Sequence, residues 1–222
     1  PHLVELHTAT WCAPCRVAEG EVNGLETWWP DVQTISLHPS LDSPDELATS
    51  VSSDVYQKYR LSGYPSIIVD GHWSLLGDKQ VTDLRSLLSN LSGDNLPKQG
   101  VGNLDFSWQM AGDNVTLNWN LTSQIDVIVD FLITQDEVVW PGTTQTLDKV
   151  VRSGLTNLTG ENEQTFAINR TGAGNLSLTA IVRVSGEVNL EDGSEIPLFS
   201  GLPDTWSEPE SVRSLSPKFI AV

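Results

Sequence analysis

Cysteine is almost absent from this 222-residue chain: there are two, Cys12 and Cys15. A small scaffold stapled by disulfides needs more than one bridge, so that class is excluded. Basic residues are scarce too, 12 Lys plus Arg against 29 Asp plus Glu, for a formal net charge of -17. Such a surface repels phosphate backbones, which argues against nucleic acid as a partner. It suits an acidic exported protein or one adapted to salt. No apolar run approaches the roughly 18 residues of a membrane span, so membrane anchoring is expected only through a segment outside this sequence. Neither an initiator Met nor a signal-peptide pattern precedes the strand-like run at residues 3–6, and the chain is expected to be a processed piece of a longer precursor. Residues 103–222 contain no His and no Cys, which removes the commonest metal and nucleophile chemistries from that half.

What is present points to a folded, exported protein. Hydrophobic residues make up 39% of the chain and include eight Trp, enough for a packed core. Six N-x-S/T sequons occur, at Asn90, Asn114, Asn120, Asn157, Asn169 and Asn175. Twelve Asn among 41 Ser and Thr would give about two by chance, so the excess favours export and glycosylation. The expected location is extracellular, periplasmic or at the cell surface.

The two halves differ in pattern. Residues 1–91 alternate strand-like and helix-like segments: a strand at 3–8, then a helix after Cys12 with Val17, Val22, Leu25 and Trp28 inward. A strand at 32–37 follows, then a helix start at Pro44-Asp45-Glu46 and a short helix at 54–60. Next come a β-branched strand at 66–69, an Asp70-Gly71 hairpin turn, a strand at 72–76, and an amphipathic helix at 81–91 presenting Leu84, Leu87, Leu88 and Leu91. The order β-α-β-α-β-β-α implies a parallel pair extended by an antiparallel hairpin and covered by helices. Residues 92–102 read as a linker. Residues 103–222 read as short alternating strands, at 104–109, 115–121, 127–134, 164–169, 177–184 and 196–199. These predict an all-β, immunoglobulin-like sandwich, with an extended tail at 202–222.

Chemistry concentrates at Thr10-Trp11-Cys12-Ala13-Pro14-Cys15-Arg16, where the first strand meets the first helix. A thiolate at a helix N-terminus is favoured by unpaired N–H groups and the macrodipole. The spacing is expected to leave the Cys12 sulfur exposed and Cys15 partly buried, with Cys12 attacking a substrate and Cys15 resolving the mixed disulfide. Zinc sites share the C-x-x-C spacing, but no second pair exists here, and no metal or other cofactor is expected. Gly63-Tyr64-Pro65-Ser66 is an independent second feature: a cis Pro65 would set the Tyr64 backbone beside the sulfurs, where it could pair with an extended substrate. Trp11 is expected to shape the substrate-facing surface. His38, ending the second strand, is a possible helper on the same rim of the sheet. His7 reads as packing or polar, and Arg16 as solvated.

Trp11-Cys12-Ala13-Pro14-Cys15 followed by Tyr64-Pro65 resembles the thioredoxin superfamily over roughly residues 3–91. Residues 4–12, His38-Pro39 and residues 64–71 are similar to exported thioredoxin-like proteins, including the Omp28-related group. That group joins a shortened thioredoxin domain to a β-rich region, and residues 148–155 are faintly similar to the latter. The resemblance implies a thioredoxin-like α/β domain and a thiol–disulfide oxidoreductase. Its partners would be protein thiols or disulfides and a redox partner that recharges the cysteine pair. The family's buried acid, six residues before the first Cys, is Leu6 here, and Glu5 is expected on the opposite side of the strand. Ala13-Pro14 resembles the Gly-Pro of reducing members and favours a reductase or isomerase. Two other classes stay open: a non-catalytic surface module braced by a structural disulfide, and a copper-handling protein using Cys12, Cys15 and His38. Asp136, Glu137, Glu191 and Asp192 read as solvated turn residues with at most weak calcium binding.

Overall fold

Alternating apolar positions set the strands, and a hairpin and, among the described residues, four helices arrange them. The computed structural model describes residues 2–41, 43–71, 73–77, 81–91, 102–123, 126–184 and 212–214. Its first half runs β1 (His2–His7), α1 (Cys15–Val22), α2 (Leu25–Trp28), β2 (Val32–Leu37), α3 (Ser50–Lys58), β3 (Ser66–Val69), β4 (Trp73–Leu76) and α4 (Val81–Leu91). β1 pairs in parallel with β2 and antiparallel with β3, and β3 pairs antiparallel with β4. Asp70 (φ 51°) and Gly71 (φ 66°) both take the left-handed conformation that a tight hairpin turn demands.

Period-2 alternation sends β1 side chains to two different cores. Val4 and Leu6 pack with Ala18, Val22, Leu25 and the α4 leucines 84, 87, 88 and 91 on one face. Leu3 joins Val51 and Val55 of α3 and the Tyr59 that caps it on the other. The inward helical face differs from the expected one. Val17 is 54% exposed and Trp28 76%, while Ala18 is buried. A turn at residues 23–24 splits the helix and restarts its phase. Residues 44–46 form no helix either. The Asp45 carboxylate accepts from the N–H groups of Thr10 and Leu47 and pairs with His38, so it serves loops rather than a helix start. The helix begins instead at Ser50, where the Thr49 hydroxyl accepts the Ser52 N–H at 3.2 Å.

The second half comprises β5 (Gly102–Ala111), β6 (Asn114–Ser123), β7 (Val127–Gln135), β8 (Val138–Val139), β9 (Thr146–Leu147), β10 (Val150–Leu158), β11 (Glu161–Ala167), β12 (Leu176–Val184) and β13 (Val212–Ser214). β5, β6 and β11 form a three-stranded antiparallel sheet. β7, β10 and β12 continue the sheet of the first half, giving the eight-strand order β12-β7-β10-β2-β1-β3-β4-β13. The join is a parallel bridge between Val150 and Ser36, with the Ser36 N–H donating to the Lys149 carbonyl at 2.9 Å. The two sheets pack face to face through Leu117, Trp119, Leu121, Val129 and Phe131. One layer of the expected sandwich is therefore shared with the first half. Residues 92–101, the expected strand at 196–199, Glu191 and Asp192, and all of the 202–222 tail except β13 lie outside the described residues.

A buried ionic cluster crosses the join. Arg183 of β12 donates from Nε to Asp130 of β7 (2.7 Å) and from Nη2 to Glu5 of β1 (2.6 Å). Lys58 donates to both Asp130 oxygens at 2.6 Å, and the Tyr59 hydroxyl lies between Glu5 and Arg183. Glu5, Asp130 and Arg183 are all 0% exposed. Burial alone would raise the Asp130 carboxyl, but the Arg183 and Lys58 charges outweigh it and hold its pKa low. Burial likewise opposes the charge on Arg183, and Glu5 reverses the direction and drives its pKa up.

Candidate functional site

After β1 the chain turns, with the Cys12 N–H bonded to the Ala9 carbonyl at 3.1 Å, and winds into α1 through Cys15 N–H to Cys12 carbonyl at 3.2 Å. Pro14 already has the helical conformation, its ring holding φ at -67° and the turn setting ψ at -23°. Cys12 and Cys15 form a disulfide across this first turn, with a Cα–Cα distance of 5.3 Å. The Tyr64–Pro65 bond is cis. Tyr64 packs in the same cluster as both cysteines, and the Trp11 ring meets its edge at 5.7 Å. Trp11, Cys12, Cys15, Tyr64 and Pro65, separated by some fifty residues in sequence, are thus gathered in one region, with Trp11 47% exposed.

Cys12 corrects the expectation of an exposed sulfur: it is 6% exposed and Cys15 0%. The cover comes from the second half. Val138, Trp140, Leu147 and Val150 pack with the cysteines, and Leu47 completes the cluster. Trp140 is fully buried, and the Arg16 guanidinium lies 5.7 Å from its ring centroid. No sequence signal marked Trp140, because nothing local distinguishes a tryptophan that closes a distant site from one in any core.

His38 is also fully buried. Its Nδ1 lies 3.0 Å from Asp45 Oδ2, its Nε2 3.7 Å from Glu19 Oε1, and its ring meets Trp140 edge-on at 6.3 Å. Nothing in the sequence marks Glu19. It stands one helical turn past Cys15, so the two share a face of α1. Burial raises the Glu19 carboxyl pKa, with His38, Ser36 and Thr8 opposing. For Asp45 burial pushes upward, but the His38 hydrogen bond and charge prevail and hold it low. The result is a buried acid–imidazole–acid cluster, linked to the disulfide through Trp140, which meets the His38 ring and packs with both cysteines. Leu6, at the position of the family's buried acid, is 0% exposed in the α1/α4 core, and Glu5 points to the opposite side, where Arg183 takes it.

His7 packs edge-on against Tyr56 and Tyr59, with no hydrogen-bond partner on either ring nitrogen among the described residues. Burial lowers its pKa to about 3. Among the described residues no group of three or more His, Cys, Asp or Glu is arranged to hold a metal ion. Asp136 pairs with Lys149 at 3.2 Å rather than standing free.

No protein-family model and no curated protein matches this chain. One similar solved structure is the protein AGR_C_4864 from Agrobacterium tumefaciens, at 20% sequence identity and a TM-score of 0.49, over 75% of this chain and 77% of that one.

Proposed function

We propose that this chain is an exported thiol–disulfide oxidoreductase of thioredoxin type, acting on protein disulfides through Cys12 and Cys15. The observation that carries the reading is a C-x-x-C disulfide at the entry to α1, flanked by Trp11 and Tyr64. The strand order β2-β1-β3-β4, with α1 and α4 on one face and α3 on the other, supports a thioredoxin-like domain. β5-β6-β11 stacked on β7-β10-β12 supports an immunoglobulin-like partner layer. Five of the six sequon asparagines are exposed, which supports export with glycosylation.

In the reducing direction the Cys12 thiolate, favoured by the helix N-terminus, attacks a substrate disulfide. A Cys12–substrate bond forms and one substrate thiolate leaves, taking up a proton. Cys15, deprotonated, then attacks the Cys12 sulfur, closes the Cys12–Cys15 bond and releases the second substrate thiol. Two electrons pass from the pair to the substrate, and a dithiol partner restores them.

Reduction of insulin disulfides by the dithiol-charged protein tests this. Cys12→Ser is expected to abolish activity and Cys15→Ser to trap mixed disulfides; wild-type rates in Cys12→Ser would overturn the proposal. A reduction potential above about -150 mV would overturn the reducing direction. A second reading, a bracing disulfide in a non-catalytic module, draws on the 6% exposure of Cys12. Failure of iodoacetamide to modify Cys12 after mild reduction would favour it.

A further inference from the structure

We propose that the crevice between the N-terminus of α3 and β10 binds the oxyanion head of a small organic acid or phosphate ester, with Arg152 as its cationic anchor. The crevice encloses about 290 Å³, bounded on one side by Thr49, Ser50 and Val51 and on the other by Arg152, Ser153 and Asn169. Arg152 is 1% exposed. Its Nε donates to the Asn169 carbonyl at 2.8 Å and its Nη1 to the Leu47 carbonyl at 3.0 Å. Nη2 has no acceptor among the described residues. Two carbonyls do not neutralise a guanidinium, and a buried cation without a counter-charge is costly. Burial accordingly lowers its pKa, and the opposing charge is Asp45. The oxygens of Asp45 are already engaged by Thr10, Leu47 and His38.

The opposite wall adds donors of the same polarity. α3 has nine residues, and the Thr49 side chain takes up the Ser52 N–H. Among the described residues the Ser50 and Val51 N–H groups have no protein acceptor. They stand at the positive end of the helix dipole. Among the described residues no acidic side chain lines the crevice, in a chain of net charge -17. Arg152, with one guanidinium nitrogen unpartnered, on one wall and free helix N–H groups on the other match a carboxylate or phosphate. A water occupies about 30 Å³ of liquid, so the volume has room for several carbons beyond the oxyanion.

The test is calorimetric titration of the whole chain, made in a host that adds no glycan at Asn169, with succinate and separately with inorganic phosphate. Saturable one-site binding of at least one probe is expected, with amide shifts at Ser50 and Val51; the tighter probe distinguishes carboxylate from phosphate. Arg152→Met is expected to weaken that binding about ten- to a hundredfold, the span for a lost charged hydrogen bond. Ser50→Pro removes one donor yet suits the first helical position, because Thr49 is extended at φ -134° and ψ 151°. It is expected to weaken binding about three- to tenfold, the loss of one ordinary hydrogen bond. Neither probe saturating by tens of millimolar overturns the proposal, as does unchanged affinity in Arg152→Met. If Arg152→Met does not fold, Ser50→Pro with an intact circular dichroism spectrum decides: wild-type affinity there overturns the proposal equally.

Discussion

Replacing Arg183 by Met tests how the two halves are held together. The substitution removes the Nε bond to Asp130 and both Nη bonds to Glu5. Asp130 is left with Lys58 at 2.6 Å and the Asn157 N–H at 2.9 Å. Glu5, 0% exposed, keeps only the Tyr59 hydroxyl among the described residues, so the uncompensated charge falls on Glu5. Breaking a buried pair from one side costs about 3–5 kcal/mol, a large share of the roughly 5–15 kcal/mol that holds a typical domain folded. The double variant Glu5→Met/Arg183→Met removes both charges and is expected to recover most of the loss, because apolar replacement of a buried pair is close to neutral. Urea unfolding of the wild type, both single variants and the double variant yields the coupling directly. A coupling of about 2 kcal/mol or more is expected. Single-variant losses that add within about 0.5 kcal/mol would refute the reasoning, since Glu5 and Arg183 would then not be acting as a pair.

His7, held neutral with a folded pKa of about 3 against 6.5 unfolded, makes the unfolded chain bind more protons between those values. Stability should therefore fall as pH drops through that window, with a slope approaching about 1.4 kcal/mol per unit and a total of about 2.3 kcal/mol from pH 6.5 to 4.5. Urea midpoints of wild type and His7→Phe across this range check it, and parallel pH profiles would contradict it. Trp140→Ala should cost about 3–5 kcal/mol and speed iodoacetamide modification of reduced Cys12 several-fold. An unchanged rate would show that Trp140 does not shield the sulfur. Gly154→Ala places a Cβ 2.4 Å from the Phe131 carbonyl oxygen. Thermal unfolding should register about 1–3 kcal/mol for the forced separation of β7 and β10.

Local pattern made most elements legible. β2, β3 and α4 fall on the expected residues, because short strands carrying Val and Ile and a four-leucine stripe are signals complete within one segment. The same holds for the cysteine pair and Tyr64-Pro65, which are chemical motifs. β10 escaped because its register shifts at Val151/Ser153 and Leu155/Leu158, so alternation never runs long enough to read. Glu19 and Asp45 escaped because an acid on a helix or in a loop reads as solvated unless its burial is known.

Cys12 and Cys15 show where the division lies. Their spacing, their place between a strand and a helix, and the turn that joins them depend on a few neighbouring residues, and the sequence alone determined these. How covered the sulfurs are was decided by the tertiary structure. β10 pairs with β2 through Val150 and Ser36, a contact more than a hundred residues apart, and brings Trp140 and Val138 onto the disulfide. The charge balance has the same origin: Glu5 is an ordinary acid in the sequence and becomes half of a buried ion pair only when β12 delivers Arg183. Local propensity acts over a few residues, whereas burial and dielectric depend on every segment that arrives.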